Sequence, residues 1–551
     1  MAVAPHDRTA TTREAIPAGQ SRLPAPTGPG NPAQSPTGHG VVSSRTQLVA
    51  TDSTNLARGA VAGFAGAATS AVMGFVLMVV LARTLGDTGS GVVLQAIAVF
   101  SIVLSLARAG MDSAAVWIMP RLVAHDPARI RSALTVMFAA TAAAGVLCGA
   151  ATVILAPGFA LTGDSHASDV ADAVAVAGWF LPVAALLLVG LAATRGLGGV
   201  LPYVSVGSIG LPVVRPIVVW LVAAGGGSFV AVTLAWAAPL PVALIAAALV
   251  LRVQVRRHEG AAGVRGLWRP DPSLRKGIVS YALPRTLSAG LEQSVIWLDV
   301  VLVGILAGSA SAGVYGGASR FVAAGLIIDT ALRLVVSTRF STLLFQEKVA
   351  QVQALYRVAA TWLVLFGTPI YLVLAVFAPV VLQLLGPGFT EGSTALMILC
   401  AGGIISFTAG NVQSVLLMSG RSGWAAFNKA IVLVVNVAGN LVLVPLIGIN
   451  GAAISWALSM LIDAALATVE VRRFIGIRLD ARAVAYALMV PVITVGIPAL
   501  ALRLTVGDTL AALLIALPLC AALFFGWCAL DRRRLQLHDL ALLARRRAPV
   551  K

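Results

Sequence analysis

Arg285, Glu292 and Asp299 are spaced by seven residues in an otherwise apolar stretch, and Ser288 falls on the same stripe. A step of seven residues turns an α-helix by only about −20°, so these side chains share one face. Arg320 lies about 12 Å into the next apolar stretch, at a depth similar to that of Asp299. We predict a cationic cavity that includes Arg285 and Arg320 and in which Glu292 or Asp299 is a coupling site for a proton or sodium ion. A structural ion pair between Asp299 and Arg320 is the alternative.

Two further arginines interrupt apolar stretches nearer the N-terminus. Arg215 lies between Pro212 and Pro216, and it is about 18 Å into its stretch. Proline removes a backbone donor and kinks a helix, which suits a cavity better than lipid. Arg108 has Asp112 one turn later, so a local salt bridge is its simpler explanation. The predicted cavity arginines are, together, Arg215, Arg285, Arg320 and Arg108.

Long apolar helices must position these residues. Charged residues make up 11% of the 551-residue chain, against about 25% in a typical soluble domain, and 58% of the chain is apolar. A helix needs about 20 mostly apolar residues to cross a bilayer. That rule predicts about fourteen spans, the first near residues 59–82 and the last near residues 510–530. The predicted fold class is therefore an all-α polytopic membrane protein.

The arginine distribution predicts which side of the membrane each link occupies. Arginine-rich links alternate with short links that are poor in positive charge, and basic links resist translocation. We therefore expect the basic links and both termini on the cytoplasmic side. The formal net charge of +17 then reflects topology and contact with anionic lipids, not a nucleic-acid surface. The basic links are residues 121–131, 252–276, 339–357, 421–429 and 472–482 and the tail from residue 532.

A faint internal repeat predicts two lobes. Gly86 precedes Gly308 by 222 residues, and Gly91 precedes Gly313 by the same 222 residues. Each pair lies at a predicted outer turn after an odd-numbered span, so the halves run in the same direction, as in two-lobed transporters with a midplane site. The predicted organisation is a disordered cytoplasmic tail rich in proline (1–57), an N-terminal lobe of spans 1–6 (58–257), a basic cytoplasmic link (258–276), a C-terminal lobe of spans 7–12 (277–477), two extra spans (478–531) and a basic cytoplasmic tail (532–551).

Residue spacing predicts no nucleotide, metal or disulfide. No lysine follows a glycine, as a phosphate-binding P-loop requires. Cys148, Cys400, Cys520 and Cys528 lie inside apolar stretches and lack metal-ligand spacing, so we expect packed, reduced thiols. No cofactor is predicted beyond the coupling proton or sodium ion.

Four segments resemble recurring blocks of the O-antigen and polysaccharide flippases, which belong to the multidrug/oligosaccharidyl-lipid/polysaccharide exporter superfamily. In chain order they are LARTLGDTGSG, SYALPRTLSAGLEQSVIWLDVVLVGILAGSASAGVYGGASRFV, VVLQLLGPGFTEGSTALMIL and NKAIVLVVNVAGNLVLVPLIGINGAAISWALS. The resemblance implies two six-helix lobes with two extra C-terminal helices. It also implies that a polyprenyl-pyrophosphate-linked saccharide is flipped to the outer leaflet of a bacterial cytoplasmic membrane by alternating access, with polysaccharide polymerases or assembly proteins as partners. For such a cargo Arg215, Arg285, Arg320 and Arg108 are the predicted phosphate ligands, because a guanidinium keeps its charge and binds two phosphate oxygens at once.

Three alternatives stay open. A peptidoglycan-precursor flippase would share this architecture. A multidrug extruder that exchanges cationic drugs for protons or sodium needs acids facing its cavity, whereas the first span has none and the deep charges are mostly arginine. A membrane glycosyltransferase or polymerase needs catalytic groups on a sizeable outer link. The longest predicted outer link, near residues 157–169, carries Asp164, His166 and Asp169, and we interpret it as a solvated acidic turn. We therefore predict a transporter and not an enzyme.

Overall fold

Helices make up most of the part of the chain that the computed structural model describes, residues 40–537; of residues 40–61, 324 and 334 only the backbone is described. No strand occurs within that range, and the predicted all-α polytopic fold class is confirmed. The helices of the first half are α1 (Gly40–Ala107), α2 (Met111–His125), α3 (Ile130–Leu155), α4 (Ala167–Trp179), α5 (Leu181–Gly196), α6 (Val200–Pro202), α7 (Leu211–Ala224), α8 (Phe229–Ala237) and α9 (Pro239–Ala261).

The second half continues the same pattern. Its helices are α10 (Pro272–Ala307), α11 (Ser309–Phe345), α12 (Val349–Val376), α13 (Ala378–Gln383), α14 (Ser393–Thr408), α15 (Val412–Met418), α16 (Ser422–Ile447) and α17 (Ile449–Ile475). Three more helices follow: α18 (Ala481–Pro491), α19 (Ile497–Val506) and α20 (Leu510–Leu530). A π-helical segment, Tyr203–Gly210, leads into α7, and another, Val492–Gly496, joins α18 to α19.

Eleven of the described helical segments are long and apolar enough to span a membrane, or up to 13 if each of two bent pairs is one span. The first of them, Ala62–Ala107, has 46 residues, which is about 69 Å of helix and more than twice the hydrocarbon thickness. Its residue Gly86 is non-helical (φ 70°, ψ −167°), and two helices meet there. Dividing α1 at Gly86 separates the first and second spans predicted from the sequence.

The described chain begins inside the predicted N-terminal tail. Helix α1 starts at Gly40, within the predicted N-terminal tail of residues 1–57, and residues 1–39 lie outside the described residues; the disorder of this tail stays a prediction. Residues 538–551 of the predicted C-terminal tail also lie outside them. The structure divides into two compact units at Arg58. The cavities and contacts of functional interest belong to the second unit, from Gly59 onward.

The apolar core crosses the boundary between the two predicted lobes. One cluster of buried side chains includes Leu81 and Trp236 from the first lobe and Val303 from the second. A second cluster, which contains Met119 of the first lobe, also includes Ile278 of α10. Helix α10 packs against α2 and also against α16. The helix that carries the predicted charged stripe therefore lies where the two lobes meet.

Helix α11 bends by 44° between Ala323 and Gly325. The hydroxyl of Tyr371 donates a hydrogen bond to the carbonyl of Val322 (3.0 Å), immediately before the bend. A side chain at Gly325 would overlap the ring of Tyr371, so glycine permits this close approach of α12. Polar backbone groups at a break in a buried helix need outside partners. Tyr371, which is fully buried, supplies one.

We expect Tyr371→Phe to destabilise the protein by about 1–3 kcal/mol, because it leaves a buried carbonyl without its donor while keeping the ring. The measurement is thermal unfolding in detergent, followed by intrinsic tryptophan fluorescence. Tyr281→Phe is the matched control, since Tyr281 stacks on Trp117 and its hydroxyl has no hydrogen bond to another described residue. Equal destabilisation by both variants would contradict this role for Tyr371.

Candidate functional site

A cavity of about 510 Å³ lies in the second lobe, lined mainly by α10, α11, α14, α16 and α17. We call it the second-lobe cavity. Four of the six predicted site residues line it: Arg285, Glu292, Asp299 and Arg320. Ser288 lines it too, so the stripe predicted from the seven-residue spacing faces a single space. The structure brings these residues together, and their roles in binding and coupling remain predictions.

Both ends of α10 are shaped by local sequence. At the N-terminus the carboxylate of Asp271 accepts hydrogen bonds from the hydroxyl (2.7 Å) and the amide (2.8 Å) of Ser273. These bonds lower the pKa of Asp271 and satisfy a backbone donor of the first turn. At the C-terminus Gly308 has φ 87°, which glycine adopts without strain. Between these ends the helix is continuous, and so the stripe stays on one face.

Arg320 stacks on an aromatic ring and forms no ion pair with another described residue. Its guanidinium carbon lies 4.0 Å from the centre of the Trp297 ring. None of the salt bridges among the described residues joins Arg320 to Asp299, so the alternative of a structural ion pair is wrong. Stacking on an indole uses the face of the guanidinium and leaves the N–H groups at its edge available. Arg320 therefore brings an unneutralised positive charge to the cavity.

The carboxylate of Asp299 is buried among neutral polar groups. It is 3% exposed and accepts hydrogen bonds from the hydroxyl of Tyr315 (3.0 Å) and the side-chain amide of Asn440 (3.0 Å). That amide also donates to the carbonyl of Asn436 (2.8 Å). The side-chain oxygen of Asn440 is buried and has no hydrogen-bond partner among the described residues. With one carboxylate and a nearby amide oxygen, the cluster has the groups needed to hold a proton or a small cation.

The polar seam between α16 and α17 was not predicted from the sequence. Asn428 and Asn440 are buried on one face of α16, which packs along α17. Asn428 donates a hydrogen bond to Glu470 (2.8 Å), and Lys429 forms a salt bridge with Asp463 (2.7 Å). The signal was available, because Asn436 and Asn440, four residues apart in an apolar helix, share a face. From this seam Asn440 bonds Asp299, whose other partner, Tyr315, lies on α11.

Two guanidinium groups at the second-lobe cavity lack carboxylate partners. Arg333 also lines the cavity, but it pairs with Asp329 (2.6 Å), which lies four residues earlier on α11. Arg285 and Arg320 form no salt bridge within the described chain. Glu292 on α10 is likewise unpaired among the described residues. The cavity thus offers two positive charges for an anionic group and separate acids for a cation.

The predicted phosphate ligands of the first lobe lie elsewhere. Arg215 donates through Nε to the carbonyl of Trp236 (3.1 Å), and its guanidinium carbon is 4.1 Å from the centre of that ring. Arg108 pairs with Asp112 (2.8 Å), which is the local salt bridge expected as its simpler explanation. Neither arginine lines the second-lobe cavity. The structure therefore does not unite the predicted ligands in one site, and Arg215 ties α7 to α8.

The segments that follow the two repeat turns pack directly against each other. A Cβ added at Gly91 would overlap the carbonyl of Ser309, and a Cβ added at Gly313 would overlap the carbonyl of Asp87. The backbones touch because glycine leaves no side chain between them. Residues 87 and 309 are separated by the repeat offset, as are 91 and 313, so the two contacts are reciprocal. We call this contact, between residues 87–95 and 309–317 on the predicted outer side, the outer seal.

A loop of the first lobe reinforces the outer seal. The carboxylate of Asp164 accepts hydrogen bonds from the hydroxyl (2.5 Å) and the amide (3.0 Å) of Ser309. Burial raises the pKa of Asp164, but the bonds from Ser309 outweigh it and the net shift is downward. A carboxylate with a lowered pKa stabilises the fold above its ordinary pKa and loses that contribution as the pH falls through the lowered value. The contact is therefore intact at neutral pH. In the same loop His166 Nδ1 lies 2.9 Å from a carboxylate oxygen of Asp169.

Comparison with known protein families gives a match over half of the chain. The model of the family described as "Polysaccharide biosynthesis protein" matches residues 56–332. One relative, the probable low-salt glycan biosynthesis flippase Agl15 of Haloferax volcanii, is 26% identical over 230 residues, or 39% of this chain and 47% of that protein. The match thus spans about half the length of this curated relative.

Solved structures share the fold over most of the chain. A structure described as lipid II flippase MurJ in an inward closed conformation has a TM-score of 0.67 at 13% identity, covering 87% of this chain and 99% of that one. An inward-facing multidrug resistance MATE family transporter of the MOP superfamily has a TM-score of 0.60 at 14% identity, covering 74% of this chain and 94% of that one. At these identities the likeness concerns the fold alone.

Proposed function

Because this chain belongs to the polysaccharide biosynthesis protein family, we propose that it flips a lipid-linked saccharide across the membrane that it spans. The proposed cargo is an oligosaccharide or polysaccharide precursor on polyprenyl pyrophosphate, moved from the inner to the outer leaflet. The observation that carries the proposal is the second-lobe cavity, with Arg285 and Arg320 free of carboxylate partners within the described chain. The named function of the archaeal relative supports the same class of cargo.

The chemistry of the cargo explains the need for arginine. A pyrophosphate that crosses about 30 Å of hydrocarbon requires counter-charge or water along its path. A guanidinium keeps its charge there and binds two phosphate oxygens at once. Arg285 lies about 21 Å from Asp299 along α10. The head group would therefore meet Arg285 first from the cytoplasmic side and Arg320 deeper in the cavity. Arg215 can join this path only if its hydrogen bond to Trp236 opens.

The outer seal supports alternating access as the mechanism. It closes the contact between the lobes on the predicted outer side through backbone atoms and the Asp164–Ser309 bonds. Export requires that this contact open while the cytoplasmic side closes, which two lobes achieve by rocking about a central site. Packed interfaces of this kind change between discrete arrangements and do not deform continuously.

The proposal is for transport and not for catalysis. Asp164, the outer acid considered for acid–base chemistry, is occupied by Ser309. The proposed location is the cytoplasmic membrane of a bacterium, with both termini inside. Polysaccharide polymerases or assembly proteins are the proposed partners that receive the flipped product.

We also propose that Asp299 couples transport to a proton or sodium gradient. A buried carboxylate without a cationic partner is costly to keep charged, so a proton or cation is the natural partner that it takes up. Its neighbours Tyr315 and Asn440 hold it in place on α10, which lies between the lobes. Binding there would favour one arrangement of the lobes over the other.

We expect Asp299→Asn to abolish the stimulation of transport by an imposed proton or sodium gradient, because the amide has nearly the same shape but takes up no proton and brings no negative charge to a sodium ion. The measurement compares flipping rates in proteoliposomes with and without each gradient. Glu292→Gln is the matched variant on the same stripe, and it should keep the stimulation. Loss of stimulation in Glu292→Gln alone would transfer the coupling role to Glu292.

A flipping assay tests the proposed function. Purified protein is placed in liposomes that contain a fluorescent polyprenyl-pyrophosphate saccharide, and a membrane-impermeant quencher reports lipid in the outer leaflet. We expect quenching beyond the initially exposed half only when folded protein is present. The absence of flipping, together with efflux of cationic dyes against a proton gradient, would assign the chain to multidrug transport. The same assay with lipid-linked peptidoglycan precursors and with other lipid-linked saccharides, compared side by side, separates a peptidoglycan-precursor flippase from a polysaccharide-precursor flippase.

A further inference from the structure

A groove of about 790 Å³ lies on the first lobe, formed by α3, α5, α9 and the link that follows α9. Its lining residues belong to the first lobe and to the basic link that follows it, and none belongs to the second lobe. Phe138, Leu186 and Leu244 form part of an apolar trough, and Arg252 and Arg256 lie toward the predicted cytoplasmic end of α9. We call it the first-lobe groove. It joins an apolar trough to a basic lip.

The sequence of α9 builds both parts on one face. Leu244, Ala248, Leu251 and Val255 follow at spacings of three or four residues, with Arg252 and Arg256 beside the last of them. The helix rises about 12 Å between Leu244 and Arg252. The groove thus changes from apolar to basic over the distance that separates acyl chains from a lipid phosphate.

Helix α9 also shows that the groove faces hydrocarbon. On the neighbouring face Val242, Ile245 and Leu249 are 70%, 61% and 59% exposed. Large apolar side chains exposed in this way along a membrane-spanning helix face lipid. Trp268, which is 57% exposed, lies at the basic end, as expected for an aromatic residue at the membrane interface.

The acid at the lip is already neutralised. Glu259 is 4% exposed and accepts bonds from Arg131 (2.6 Å) and from the amide of Gly266 (3.1 Å). The guanidinium carbon of Arg131 lies 5.4 Å from the centre of the Trp268 ring. The other arginines that line the groove form no salt bridge within the described chain; they are Arg252, Arg256 and Arg265. The lip therefore carries three uncompensated positive charges.

We propose that the first-lobe groove binds one anionic glycerophospholipid of the inner leaflet, with its phosphate at Arg252, Arg256 and Arg265 and an acyl chain in the trough. Charge complementarity favours an anionic head group over a zwitterionic one. The cargo lipid is not the proposed occupant, because the proposed site for its pyrophosphate is the second-lobe cavity, which shares no lining residue with this groove. The bound lipid is a resident that holds the first lobe at the inner surface.

Native mass spectrometry of the full-length protein in detergent tests the proposal, with phosphatidylglycerol, phosphatidylcholine and undecaprenyl pyrophosphate as probes. We expect retention of phosphatidylglycerol over phosphatidylcholine. Arg252→Gln combined with Arg256→Gln should weaken binding of phosphatidylglycerol on the order of 30-fold. Arg257→Gln with Arg269→Gln removes equal charge from exposed arginines that do not line the groove, and it should leave binding unchanged. Equal weakening by both pairs would overturn the proposal in favour of general surface attraction.

A second variant fills the trough without changing charge. Gly190 lies in the groove, and a Cβ added there would make only an ordinary contact with Phe138 (3.9 Å). We expect Gly190→Leu to lose selective phosphatidylglycerol binding while its thermal unfolding stays close to that of the parent. Undiminished binding in Gly190→Leu would overturn the proposal. Retention of undecaprenyl pyrophosphate without phosphatidylglycerol would overturn it as well, since the groove would then be a cargo site.

Discussion

Replacing Arg320 by alanine is expected to slow flipping of a polyprenyl-pyrophosphate saccharide roughly 10- to 150-fold, the loss that corresponds to one hydrogen-bonded contact with a charged group. Arg320 is stacked on Trp297, and its donors at the edge are available to phosphate. Without it the second-lobe cavity keeps only one guanidinium that lacks a carboxylate partner within the described chain. The measurement is the initial flipping rate in liposomes at matched protein abundance.

Two companion variants separate geometry from charge. Arg320→Lys keeps the charge but loses the planar fork and much of the stacking, so we expect an intermediate rate. Arg333→Gln removes a positive charge from the same cavity, but Asp329 already neutralises that charge. The flipping rate of this variant should therefore stay within about threefold of the parent. Equal losses in Arg320→Ala and Arg333→Gln would mean that overall charge matters and not the free guanidinium. Unchanged rates in both Arg320→Ala and Arg285→Ala would contradict the proposed head-group site.

The second large effect concerns the outer seal. Gly91→Ala places a methyl group on the carbonyl of Ser309 and the amide of Gly313, which are backbone atoms that cannot rotate away. Overpacking of this kind costs about 1–3 kcal/mol. The ratio of the closed to the open population should therefore fall by roughly 5- to 150-fold. We expect slower transport and greater access from the outer side. A reporter cysteine at Gln95, which is 1% exposed, measures that access by labelling with an impermeant maleimide.

The same helix offers a control for the methyl group itself. An added Cβ at Gly74 would meet no atom within 4 Å, so Gly74→Ala should leave both labelling and transport unchanged. The parent protein without the reporter corrects for labelling of Cys148, which is partly exposed. If Gly91→Ala labelled no faster than Gly74→Ala, the seal would not be the barrier to the outer side.

The parts of the site that could be predicted depend on distances along the chain. Residues seven apart on an apolar helix share a face whatever surrounds it, so the sequence alone was enough to place Arg285, Glu292 and Asp299 together. The same holds for the turn glycines, because Gly86 and Gly308 need a positive φ where the chain reverses. The length of the apolar stretches, in turn, predicted the all-α polytopic fold.

The parts that could not be predicted depend on contacts between distant segments. Depth along α11 put Arg320 level with Asp299, but rotation about the helix axis decides the partner, and Arg320 faces Trp297 instead. Arg215 lay near the midplane of a proline-containing helix as expected, yet a buried tryptophan from α8 packs against it. Asn440 reaches Asp299 across 141 positions of sequence, a pairing that no local period encodes.

The outer seal has the reciprocity of a two-fold dimer interface, although it lies within one chain. In such an isologous contact each interaction occurs twice, here as residue 91 on residue 309 and residue 313 on residue 87. A substitution in a true dimer alters both copies at once, whereas Gly91 and Gly313 are encoded separately. Substitution of Gly91 alone, of Gly313 alone and of both therefore forms a thermodynamic cycle. The cycle measures how the free energy of closing the outer seal is shared between the two halves of the molecule.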